Sequence, residues 1–177
     1  MFIAKQKKNE NIAEYLLYMW QLEDMLRAFD LDIDKIQEAL IDPTDQSVEK
    51  KEEARQWYMH IIDAMKAEDV EHEGHIEENI IILSELSDLH AQLLKNADES
   101  HYREVYYKTL PYIVELRAKS KDKEVSEIET CFTALYGYLL LKLQKKEVSS
   151  DTASAISQIS SLLALLSDRY KSHISNK

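Results

Sequence analysis

Asn11-Ile12-Ala13-Glu14-Tyr15-Leu16-Leu17-Tyr18-Met19-Trp20-Gln21-Leu22-Glu23-Asp24-Met25-Leu26-Arg27-Ala28-Phe29 is the stretch whose reading decides the fold. Its apolar side chains recur at intervals of three and four, the period of an α-helix. One stripe is Ile12, Leu16, Met19 and Leu26, a second is Tyr15, Tyr18, Leu22, Met25 and Phe29, and a third is Ala13, Leu17 and Trp20. Asn11 and Glu14 stand where a capping box would open such a helix. A helix apolar around most of its circumference belongs at the centre of a bundle.

Outward from this segment the pattern repeats. A short helix is predicted from Ile33 to Ile41, stopped by the turn Asp42-Pro43-Thr44-Asp45, and a third from Ser47 to Val70, ended by Gly74. A fourth runs from Ile76 to Asn96, and a fifth from Asp98 to Lys119, where Pro111 is expected to kink or split it. Ser120 to Asp122 reads as a loop. The sixth helix, Lys123 to Lys146, is apolar almost all round in its middle and is expected to pack against the first, with Gly137 allowing close backbone approach. A last amphipathic helix starts at Ser149 to Asp151. The predicted architecture is all-α, a single bundle of six or seven helices with the first and sixth central, spanning residues 1–177. A short basic arm (1–9) precedes it and a frayed tail (171–177) follows. No internal repeat is evident.

Composition supports helices and excludes several chemistries. The 177 residues include 2 glycines and 2 prolines, too few for the turns of a β-protein. The same shortage excludes glycine-rich phosphate cradles and the nucleophile elbow. A formal charge of -11 repels nucleic acid. Cys131 is the one cysteine, so no intrachain disulfide and no thiolate zinc site is possible, which fits a reducing, cytoplasmic compartment. No run approaches the length of a membrane span.

The opening Met1-Phe2-Ile3-Ala4-Lys5-Gln6-Lys7-Lys8, followed by Asn11 to Asp24 as quoted above, resembles a Bacteroidetes protein family catalogued as a domain of unknown function, number 4924. The length agrees as well, so the resemblance spans essentially the whole chain. It implies an intracellular helical protein of this size and carries no activity, cofactor or site residue with it.

Four polar constellations remain. Glu71, His72 and His75 lie in the densest acidic cluster, but the histidines are three apart across a helix end, so the zincin spacing fails and a solvated junction is the plainer reading. Arg55 and His60 have the Arg-x4-His spacing of a superfamily of small helical ribonucleases, a pattern that arises readily by chance. Tyr102, Arg103, Tyr106, Tyr107 and Lys108 form a tyrosine-rich, locally basic segment, a candidate interaction surface. Tyr102 and Tyr106 also share a face with Thr109 and Ile113, which assigns them to a core and leaves Tyr107 outward. Glu23 falls on the stripe of Leu16, Met19 and Leu26, where a charge needs a partner, and Arg27 is one turn on, so the two form a candidate buried pair.

These readings describe a non-enzymatic intracellular protein that acts through protein contact or self-association. Its partner is a protein or a second copy, with no cofactor, nucleic acid, membrane or identified small molecule. The alternative is a metal-dependent or phosphodiester-cleaving enzyme built on the acidic histidine cluster or the Arg55 and His60 pair.

Overall fold

The chain is all-helical. The computed structural model describes residues 2–119 and 125–175, and among these there are eight α-helices and no strand. They are α1 (Phe2–Glu10), α2 (Ile12–Ala28), α3 (Ile33–Ile36, continued by a π-helical turn Gln37–Ile41) and α4 (Val48–Ala67). There follow α5 (Glu77–Lys95), α6 (Ser100–Lys119), α7 (Glu127–Leu143) and α8 (Ser150–Ser175). The loop expected at Ser120 to Asp122, the predicted start at Lys123 and the last two residues lie outside the described residues. The arm expected at 1–9 is helical from Phe2, and helical backbone continues through Ser175.

The starts of these helices follow local side-chain chemistry. Asn11 Oδ1 accepts the Ala13 N–H at 3.1 Å, Asp32 accepts from Asp34 and Lys35, and Ser47 and Ser126 accept from Lys50 and Glu129. The ends are less usual. With glycine scarce, Asp30, Asp69 and Lys145 take left-handed conformations at φ near +55°, where glycine ordinarily sits. At the end of α4, the Val70 N–H reaches back to the Met65 carbonyl at 3.0 Å and closes the helix on Asp69. The stop predicted at Gly74 therefore falls earlier.

The described residues group into two compact units, one within Met1–Asn9 and Glu14–Ile81, the other within Glu10–Ala13 and Ile82–Lys177. In the first, buried apolar side chains come from α2 (Leu16, Met19, Leu26), the α3 region (Ile36, Ile41) and α4 (Ile61, Ile62, Met65). Leu16 and Leu26 have no exposed surface, and removing a leucine side chain from water in this way stabilises by about 2 kcal/mol. In the second unit α6, α7 and α8 pack on one another, with Tyr102, Ile113, Ile128, Phe132, Ile159 and Leu162 at or near full burial.

Three expectations are corrected. Helix α6 runs unbroken with Pro111 inside it, because Pro111 lies on the exposed face, where water can reach the carbonyl that its ring leaves without a donor. The sixth predicted helix, α7, is not buried along its middle. Ile128, Cys131 and Phe132 are covered, but Ala134 to Leu141 is half-exposed apart from Gly137, which is exposed, and Leu143 is 58% exposed. Apolar character all round raises the gain from burial without supplying enough neighbours to achieve it. Gly137 makes no close approach either, since a Cβ built there meets nothing within 4 Å.

Open space at Gly137 and strain at Lys145 give a direct test. Gly137→Ala should stabilise dilute protein by about 1 kcal/mol through helix propensity alone. Lys145→Gly should contribute a similar gain, about 1 kcal/mol, by relieving the left-handed backbone. Thermal denaturation reads both, and a lower Tm for Gly137→Ala would mean that a neighbour does occupy that face.

Candidate functional site

Glu23 is fully buried in α2, and its partner is not Arg27. Its carboxylate accepts three hydrogen bonds from the segment that opens α5: from His75 Nδ1 at 2.5 Å, from the Ile76 backbone N–H at 3.2 Å and from Asn79 Nδ2 at 2.7 Å. Arg27, one turn away, salt-bridges Asp24 at 2.8 Å and donates to the carbonyls of Val70 and Gly74. Both side chains reach to one loop instead of to each other. The physical reason is demand: that loop presents free carbonyls to Arg27, and to Glu23 the free N–H groups of a helix start, where negative charge is favoured.

The His75 ring stacks on Trp20, with centroids 4.1 Å apart and planes 10° from parallel. Its Nδ1 is committed to Glu23 while the side chain keeps 24% exposure. A carboxylate that fixes one imidazole nitrogen sets the ring's orientation. The same bonds also satisfy the start of α5, which is sufficient reason for their presence. The suggested metal trio does not assemble: among the described residues no group of three or more histidine, cysteine, aspartate or glutamate side chains is placed to hold an ion. His72 is exposed, Glu71 is half-buried, and His75 is turned to Glu23.

Arg55 pairs with Asp34 at 2.8 Å and reaches Gln37, which ties α4 to the α3 region. His60, from the same motif, borders a cavity of about 550 Å³ in the first unit with Tyr15, Met19, Trp57, Ile61 and Ile76. Tyr15 has its hydroxyl pKa pushed up to about 12, first by burial and then by Glu78 and Glu23.

The tyrosine-rich helix divides as helical spacing requires, and the expected surface is corrected accordingly. Tyr102 and Tyr106 are core: the Tyr102 hydroxyl is 2.7 Å from His90 Nδ1, and the Tyr106 hydroxyl donates to Glu127 at 2.9 Å. Arg103 caps the chain beyond α5 by donating to the Asn96 and Ala97 carbonyls, and Lys108 pairs with Glu104. Tyr107, at 62% exposure, is the tyrosine of the group left to solvent. His90 had not been singled out from sequence, yet its spacing from Leu83, Leu86 and Leu93 puts it on their apolar face. Burial holds its pKa below the usual histidine value, against the opposing effect of Glu127, whose carboxylate is 3.5 Å from Nε2. Burial likewise pushes the Cys131 thiol up to about 12, far from nucleophilic thiolate.

Fold and site together define an all-helical protein whose first unit holds a buried carboxylate and its imidazole. No helix among the described residues is long and apolar enough to cross a membrane. The chain belongs to the family described as Domain of unknown function (DUF4924), whose model matches residues 1–177. No curated protein and no solved structure matches it.

Two measurements follow from the buried polar groups. Glu23→Ala leaves the donors of His75, Asn79 and Ile76 without an acceptor and should destabilise by about 3–5 kcal/mol in urea unfolding, with Glu23→Gln milder. For His90 the folded pKa lies below the unfolded value, so the unfolded chain takes up the proton first as pH falls. Its stabilising contribution is therefore full above about pH 6.5 and declines below it, and His90→Gln should flatten that part of the stability profile.

Proposed function

We propose that the chain acts through protein contact, and that its first partner is a second copy of itself meeting at the outer half of α7. The observation that carries this is the exposure of an apolar helix. Leu135, Tyr136, Leu139 and Leu140 are half-exposed and Leu143 is open, on a helix whose neighbours within its unit are α6 and α8. Large contiguous apolar surface on a protein of this charge is a site of association.

Self-pairing needs no other chemistry than the chain supplies: a two-fold contact sets this stripe of α7 against its equal, so each copy covers the other's apolar side chains. A cytoplasmic setting and a Bacteroidetes source belong to the same reading, supported by the buried, unpaired Cys131 and by the opening residues. The polar groups that suggested an enzyme are engaged elsewhere: Arg55 with Asp34, and His75 with Glu23.

Sedimentation velocity at about 100 µM should detect dimer in the wild type and monomer for Leu143→Glu. A wild type that stays monomeric at that concentration would sink the reading.

A further inference from the structure

A second cavity in the first unit holds about 300 Å³, at the lower end of the range that small-molecule sites occupy. Its walls come from four elements. Helix α2 supplies Tyr18, α4 supplies Ala54 and Tyr58, α1 supplies Ile3, and the π-helical turn Gln37–Ile41 supplies Leu40 and Ile41. That turn closes over five residues, with the Asp42 N–H reaching the Gln37 carbonyl at 2.9 Å. Turns of this kind are rare and recur at functional sites. The Asp42 carbonyl, at the end of the turn, accepts from the Lys51 ammonium at 2.8 Å, and Lys51 borders the cavity.

The charge of this lining has one sign. Lys50 and Lys51 are its charged residues, and among the described residues no carboxylate borders it. The Asp42 side chain is taken by the Gln37 amide at 2.5 Å, and among the described residues Lys51 pairs with that neutral carbonyl and with no carboxylate. Nor do the Tyr18 and Tyr58 hydroxyls have a hydrogen-bond partner among the described residues. Burial raises the pKa of both phenols, with a further rise at Tyr18 from Tyr58 beside it, so both stay protonated and able to donate. An ammonium and two phenol donors around an apolar hollow complement a single negative charge on an apolar body. The chain's net charge of -11 opposes any anion from a distance, and a dianion twice as strongly, but at contact in a partly enclosed site the lysine prevails. We propose that this cavity binds a small monocarboxylate with an apolar body, about ten non-hydrogen atoms in all. Its carboxylate meets Lys51 and the two tyrosine hydroxyls, and its body lies against Leu40, Ile41 and Ala54. The cavity is in the first unit and the α7 surface in the second, so ligand binding does not depend on self-association.

Phenylacetate is the probe, titrated by calorimetry into the full-length protein, with phenylacetamide and phenethylamine as neutral and cationic comparators of similar shape. The acid should bind with a Kd of about 0.1 mM, the amide roughly tenfold more weakly and the amine not measurably. Lys51→Met keeps an apolar stem and should cost the acid about tenfold while leaving the amide unchanged, and Lys51→Arg should restore most of the loss. Tyr18→Phe and Tyr58→Phe should each weaken the acid severalfold. Ala54→Leu fills the hollow and should abolish binding of acid and amide alike, with Tm at or above the wild-type value. No binding of phenylacetate or octanoate at about 5 mM, equal affinity for acid and amide, or tighter binding of the amine would each overturn the proposal. A loss in Lys51→Met that falls equally on the amide would overturn the charge contact. Wild-type affinity in Ala54→Leu would place the ligand elsewhere, and a fall in its Tm would show that the room is not there.

Discussion

A carboxylate with no exposure to water must be given hydrogen bonds or it cannot stay charged, and in this protein that requirement falls on Glu23. Its three donors all come from residues 75–79, so meeting the requirement fixes where α5 begins and how that start lies against α2. Arg27 completes the same joint from one turn further along, holding the loop through the carbonyls of Val70 and Gly74. Removing the carboxylate would leave donors stranded in the interior, while removing Arg27 would release a loop. The first is the graver loss, since buried donors without acceptors have no access to water.

Much of the helical content was legible in the sequence because it depends on local terms. Periodicity placed α2, α4, α5 and α8 to within a few residues, Ser47 marked a start through its own hydroxyl, and Tyr102 with Thr109 and Ile113 announced a buried face by spacing alone. The partner of Glu23 was not legible. Arg27 is the nearest cation along the helix, but His75 is 52 residues distant, and nothing in either segment encodes that they meet. The exposure of α7 was hidden for a related reason: hydrophobicity measures what a segment would gain from cover, and the cover is set by how many other helices the chain brings there. Helix α1 was read as an arm because its lysines suggest solvent, although lysine is a good helix former.

The distribution of polar chemistry bears on function as well. Two side chains that sequence spacing offered as functional are engaged in joining helices, Arg55 to Asp34 and His75 to Glu23. The uncovered stretch of α7 in the second unit leaves apolar side chains short of contacts, which is the condition under which a partner can contribute free energy.

The helix ends at Asp30, Asp69 and Lys145 have a bearing on the unfolded chain that the folded one does not reveal. Each non-glycine residue in left-handed backbone raises the energy of the native state. Each also removes from the denatured ensemble the wide conformational freedom that a glycine would have brought. With two glycines in 177 residues, the disordered chain is stiffer than an average sequence and has less entropy to lose on folding. Local strain in the native protein is thus partly offset by a restriction that applies when no native structure is present at all.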